Sequence, residues 1–195
     1  MKMAFIPAFC LALTLAGCAT TGGKPPSDTT NACAILSEKH GWEKHVFEAA
    51  RTWQVSPGTI LAFMRQESGF RSEARPINRN GNRLSSAYGY SQALDGTWAQ
   101  YERAQGHGKR KSFEDSADFI GWYLDLVSKQ AAISKTDIKS LYLAYHEGPA
   151  GYRRRSFAGK TWLGPVADRV ASQSATYNSQ LTRCEARQMR RLSSN

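Results

Sequence analysis

The chain has 195 residues, 41 % of them hydrophobic, which suits one globular domain better than two. It carries 26 Lys and Arg against 16 Asp and Glu, a formal net charge of +10. That surplus favours an anionic partner, yet the N-terminus argues against nucleic acid. The first residues, "MKMAFIPAFCLALTLAGC", set one Lys before an apolar run too short to hold a bilayer. Small residues then precede Cys18, the layout of a secretory signal.

Leu15-Ala16-Gly17-Cys18 resembles a bacterial lipobox, so residues 1–17 are expected to be removed and Cys18 to carry lipid. The protein is then expected in the cell envelope, held to the membrane by its N-terminal lipid and facing the periplasm from the outer membrane. Residues 18–31, "CATTGGKPPSDTTN", read as anchor and flexible tether. A folded domain is expected over 32–185, followed by a basic tail at 186–195. With Cys10 in the signal and Cys18 lipidated, Cys33 and Cys184 remain. In an oxidising compartment they are expected to pair. So long a loop could contribute about 4–5 kcal/mol in the chain-entropy treatment. The four histidines lack ligand spacing and no Cys-x-x-Cys occurs, so no metal site is expected.

Helical patterns fill the domain. "ACAILSEKH" is expected to be a helix that Gly41 closes, and Trp42, Val46, Ala49, Ala50 and Trp53 share one face of a second. In the third, Ser56 and Pro57 give the start and Gly69 the stop. Glu67 therefore falls in the last turn of an apolar helix, where the dipole disfavours negative charge. Residues 75–89 lose periodicity around Asn80-Gly81, which predicts a loop or short hairpin. Thr97 is placed to cap a short helix carrying Trp98 and Tyr101. After a basic, Gly-rich connection, Ser112 and Asp115 open a helix burying Phe119, Trp122, Tyr123 and Leu126. Further helices run from about Thr136 into "LYLAYHEG" and from about Pro165 to Cys184. No internal repeat and no parallel-strand pattern is visible.

Three fragments carry chemistry. The first supplies the lone carboxyl of Glu67. In "SAYGYSQALDGTW", Gly89 permits close backbone approach and Gln92 offers an amide that donates and accepts. Tyr88, Tyr90 and Trp98 there offer flat apolar faces suited to sugar rings. "LYLAYHEGPAGY" places Tyr145 and His146 at a helix stop.

In order and separation these fragments resemble the lysozyme-like lytic transglycosylases of the soluble-transglycosylase type. The matching motifs are Glu67-Ser68-Gly69-Phe70, Gly89-Tyr90-Ser91-Gln92 and Ala144-Tyr145-His146-Glu147-Gly148. Ser91 stands where Met is usual and His146 where Asn is usual. The resemblance implies a mainly α, lysozyme-like domain with a small irregular or β insertion. It further implies non-hydrolytic cleavage of the MurNAc-GlcNAc β-1,4 bond of peptidoglycan, leaving 1,6-anhydroMurNAc ends, in wall remodelling or turnover. Glu67 would be the sole catalytic acid and base, with Ser68, Gln92, Tyr145 and His146 around the substrate. No cofactor is implied, and a monomer is expected. Two rival readings are a muramidase that uses Glu147 or Asp95 as a second carboxylate, and a non-catalytic wall-binding lipoprotein.

Overall fold

The structure is a computed structural model that describes the backbone over residues 24–193 and side chains through Glu185. The signal segment and Cys18 lie outside the described residues. Helices make up most of the fold: α1 (Ala32–Glu38), α2 (Trp42–Trp53), α3 (Pro57–Ser68), α4 (Asp95–Gln105), α5 (Phe113–Ala131), α6 (Ile138–Arg153) and α7 (Leu163–Ser193). A single 3-10 turn, Ser156–Gly159, joins α6 to α7. The protein is mainly α, as expected. Its insertion at 75–93 forms no sheet among the described residues, only isolated bridges between Ile77 and Arg83 and between Tyr88 and Ala93.

α3 lies at the centre, packed on α7, α2 and α5. Its residues from Gly58 through Met64 are all buried, so it lacks a polar face and depends on its neighbours for stability. Its ends follow the local sequence. The Ser56 hydroxyl accepts from the Thr59 amide, Pro57 fills the first helical position, and Gly69 closes the helix in the left-handed region. The Ser112 start is equally plain, since its hydroxyl accepts from the Asp115 amide.

Several boundaries differ from expectation. α1 ends at Glu38 with Lys39 as its cap, and Gly41, at φ 89°, precedes α2 instead of closing α1. α4 begins at Asp95 after Leu94, not after Thr97, so Asp95 places an acid in the first turn, where the dipole favours it. α7 continues past Cys184 to Ser193, so the backbone of most of the expected tail is helical. The near end of the expected tether is pinned to the domain. Tyr177 donates to the Thr29 carbonyl, Gln180 donates to the Thr30 carbonyl, and the Gln180 side chain accepts from the Ala32 amide. Cys33 and Cys184 are disulfide-bonded across 151 residues, joining α1 to α7 as the cysteine count predicts.

Candidate active site

A groove of about 490 Å³ opens where the three sequence fragments meet. Glu67, Gln92, Tyr145, His146, Glu147 and Gly148 line it, with Phe119 and Tyr123 of α5 as its apolar wall. Pro76, Ser85 and Ala87 of the insertion, Ala93 and Leu94 just ahead of α4, and Thr97 in its first turn complete the lining.

Glu67 enters from the last turn of α3. Among the described residues no Lys, Arg or His nitrogen lies within 4 Å of its carboxyl. The two nearby arginines in sequence turn elsewhere. Arg65 bonds the Gln173 side chain on α7, and Arg71 donates to the Ser68 carbonyl at 2.9 Å. Burial pushes the Glu67 carboxyl up to about 7, only partly offset by its hydrogen bond with the Tyr142 hydroxyl. A carboxyl near that value can both give and take a proton at neutral pH.

The second fragment is held by its own backbone. Gly89 has φ 75°, and a Cβ there would come within 2.3 Å of the Arg110 carbonyl oxygen, so no other residue fits. Gln92 adopts φ 49°, an unfavourable region for a side-chain-bearing residue. Its amide nitrogen donates to the carbonyls of Ala74 (2.9 Å) and Gly89 (2.8 Å), which offsets that strain. Gln92 therefore offers the groove its amide oxygen, an acceptor, and not the donor-plus-acceptor pair expected. Arg110 clamps the same loop, donating to the carbonyls of Ala93 and Ser86 and pairing with Asp95.

From the third fragment, Tyr145 donates its hydroxyl proton to the Ser91 carbonyl at 2.6 Å. Its ring meets Phe63 (5.3 Å) and Tyr123 (5.2 Å) edge to face. The hydroxyl is held protonated, chiefly by burial and then by the neighbouring Glu67 charge. Gly148, at φ 71°, kinks α6 and lets the chain turn along the groove before Pro149. His146 Nδ1 lies 2.8 Å from Glu147 Oε1.

Glu147 and Asp95 differ sharply from Glu67. Burial alone would raise the Glu147 carboxyl, but hydrogen bonds from Lys160, Ser156 and His146 hold it down to about 2. Its side chain is 4 % exposed and saturated by those three partners. Asp95 is exposed and paired with Arg110.

Gln92, Tyr145 and His146 thus join Glu67 in the groove, whereas Ser68 does not. Ser68 is 1 % exposed and donates to the Met64 carbonyl, a contact that finishes the helix. The proposed sugar faces also move. Tyr90 and Trp98 are 3 % and 4 % exposed, with Tyr90 packed against Trp42 and Phe113. Tyr88 lies beneath the Arg75 guanidinium. Tyr123, 9 % exposed, lines the groove in their place, with Phe119, 1 % exposed, packed behind it, and Tyr142 is the buried partner of Glu67. The i, i+4 spacing of Phe119 and Tyr123 and the i, i+3 spacing of Tyr142 and Tyr145 carry that signal. No three His, Cys, Asp or Glu side chains among the described residues gather as a metal site.

Among solved structures, the chain is similar to an inactive mutant of the lytic transglycosylase Slt from Pseudomonas aeruginosa, at 18 % identity and a TM-score of 0.44. The match covers 75 % of this chain and 25 % of that one, so the chain spans about a quarter of that relative's length. No curated protein matches. The family model described as the Transglycosylase SLT domain matches residues 6–184, nearly the whole chain, and the protein belongs to that family.

Proposed function

We propose that the protein is a peptidoglycan lytic transglycosylase, cleaving the MurNAc-GlcNAc β-1,4 bond without water. The observation that carries this reading is a single carboxyl, Glu67, poised near neutrality in a groove whose other carboxylate is spent. Protonated Glu67 donates to the glycosidic oxygen as the C1–O bond breaks. The substrate's N-acetyl carbonyl stabilises the C1 cation from its own side. The Glu67 carboxylate then takes the proton of the C6 hydroxyl, whose oxygen closes on C1 to give the 1,6-anhydro ring and restore the acid. Tyr145 and Gln92 offer acceptor lone pairs to sugar hydroxyls and amides, while Tyr123 lies on the ring-carbon side.

A hydrolytic muramidase needs a second carboxylate as nucleophile or as base for water. Glu147, ionised and held by three partners, is poorly suited to either task, and Asp95 serves the Arg110 clamp. A purely wall-binding role gives no reason to bury an acid that no basic side chain pairs, which is costly. We further propose that the protein is a lipoprotein anchored through Cys18 in the envelope, on the strength of Leu15-Ala16-Gly17-Cys18. Membrane release of a Cys18→Ala variant, or failure to process its signal, tests that; unchanged attachment refutes it.

Solubilisation of purified sacculi by wild type and Glu67→Gln tests the activity. Wild type should release fragments, and Glu67→Gln should lose at least 10²–10⁴-fold while still binding sacculi. Equal inertness of the two would refute the enzymatic reading.

A further inference from the structure

Trp162 is 54 % exposed, and its indole meets the His146 ring edge to face at 5.2 Å and 78°. His146 lines the groove, so Trp162 stands one ring beyond it. The other tryptophans have internal work. Trp98 and Trp122 are buried, Trp42 stacks on Phe113 at 3.7 Å, and the Trp53 indole nitrogen donates to Asp118 at 2.6 Å. Leaving an indole half in water forgoes burial of one of the largest apolar surfaces a side chain offers.

The backbone that carries it is anchored on both sides. The Leu163 amide donates to the Lys160 carbonyl at 2.8 Å, and the Val166 amide donates to the Trp162 carbonyl at 3.4 Å. Fully buried Leu163 fixes the chain on one side. On the other, Lys160 donates to Glu147 at 2.5 Å, and Glu147 is in turn bonded to His146 and Ser156. The Glu147 ion pair therefore holds the groove rim, presenting His146 and Trp162 as a preset pair. A rigid aromatic surface binds with little loss of conformational freedom.

We infer that Trp162, supported by His146, is a stacking subsite for a sugar ring of the glycan strand, one position beyond the ring pair at Glu67. The inference rests on the proposed glycan-cleaving function and deepens it. A pyranose ring presents an apolar face of C–H groups to the indole and its hydroxyls to water. The half-exposed, groove-edge position of Trp162 suits such a ligand. The subsite would be occupied by long strands and left empty by fragments that fill only the central groove.

The test uses the exported, full-length protein and peptide-free glycan strands of graded length. In a Glu67→Gln background, long strands should change the intrinsic tryptophan fluorescence, and Trp162→Ala should abolish that change. In the active protein, Trp162→Ala should raise KM for long strands about tenfold with kcat little altered, Trp162→Phe should recover most of the loss, and short fragments should show no effect. A fluorescence response that persists in Trp162→Ala, or one given by free stem peptides and not by strands, would overturn the inference. The failures are separable. Cleavage by wild type with no effect of Trp162→Ala removes the subsite alone, whereas a Trp162-dependent strand response in a protein that never cleaves removes the catalytic reading alone.

Discussion

The Tyr145 hydroxyl donates to the Ser91 carbonyl at 2.6 Å, bonding two fragments that lie 54 residues apart in sequence. This bond seats the insertion loop on α6 and fixes both Gln92 and Tyr145 relative to Glu67. Tyr145→Phe removes it and leaves a carbonyl without its partner. A stability loss of about 1 kcal/mol is expected from thermal unfolding. The larger effect is expected on kcat, on the order of 10–100-fold, because the loop shifts against the acid. Unchanged kcat would show that the bond does not position the site.

Glu67 makes folding stability depend on pH in a direction opposite to most carboxylates. Its folded value, about 7, lies above the ordinary 4.5. Below 4.5 both folded and unfolded states hold the proton and nothing is lost. As pH rises from 4.5 toward 7 the unfolded state ionises first, so stability falls, by up to about 3 kcal/mol. Glu67→Gln removes that penalty. Denaturant unfolding should find the variant equal to wild type near pH 4 and more stable near pH 8.

Tyr142 is the one hydrogen-bond partner opposing the rise of the Glu67 carboxyl. Tyr142→Phe should let that value climb, so the alkaline limb of the kcat/KM profile should move to higher pH. A merely structural tyrosine would lower the rate without moving the limb.

Glu147→Gln separates the two enzymatic mechanisms. Its carboxyl is held near 2, so the ion pair with Lys160 stabilises the fold above about pH 4.5 and is lost as pH falls toward 2. The variant should be less stable at neutral pH yet keep activity within about tenfold of wild type, with unchanged products. Removal of an essential second carboxylate would instead cost at least 10²–10⁴-fold.

The disulfide closes 151 residues, so Cys33→Ser with Cys184→Ser should lower the free energy of unfolding by about 2–5 kcal/mol. Equilibrium unfolding under oxidising conditions checks this, and stability equal to wild type would contradict it.

What the sequence revealed was mostly what short-range chemistry controls. The Ser56-Pro57 start, the Gly69 stop and the Ser112 cap depend on neighbours within four residues, and all three form. Gly41 misled because a left-handed glycine can lie between two helices and serve either one. Aromatic residues near Gly89 suggested sugar faces, but composition does not tell which side of a ring is covered. Trp42, far from both Tyr90 and Phe113 along the chain, decides that Tyr90 is core. Arg110 lies in a basic, Gly-rich connection whose sequence assigns it no partner, and only the fold reveals it as the clamp on the Gly89–Gln92 loop.

Digestion of purified sacculi in heavy-oxygen water, followed by mass spectrometry of the new glycan ends, tests the central claim most directly. Ring closure onto C6 predicts 1,6-anhydro ends that contain no solvent oxygen, produced by wild type and absent with Glu67→Gln. Reducing ends carrying one heavy oxygen per cleavage would contradict it and make the protein a hydrolase.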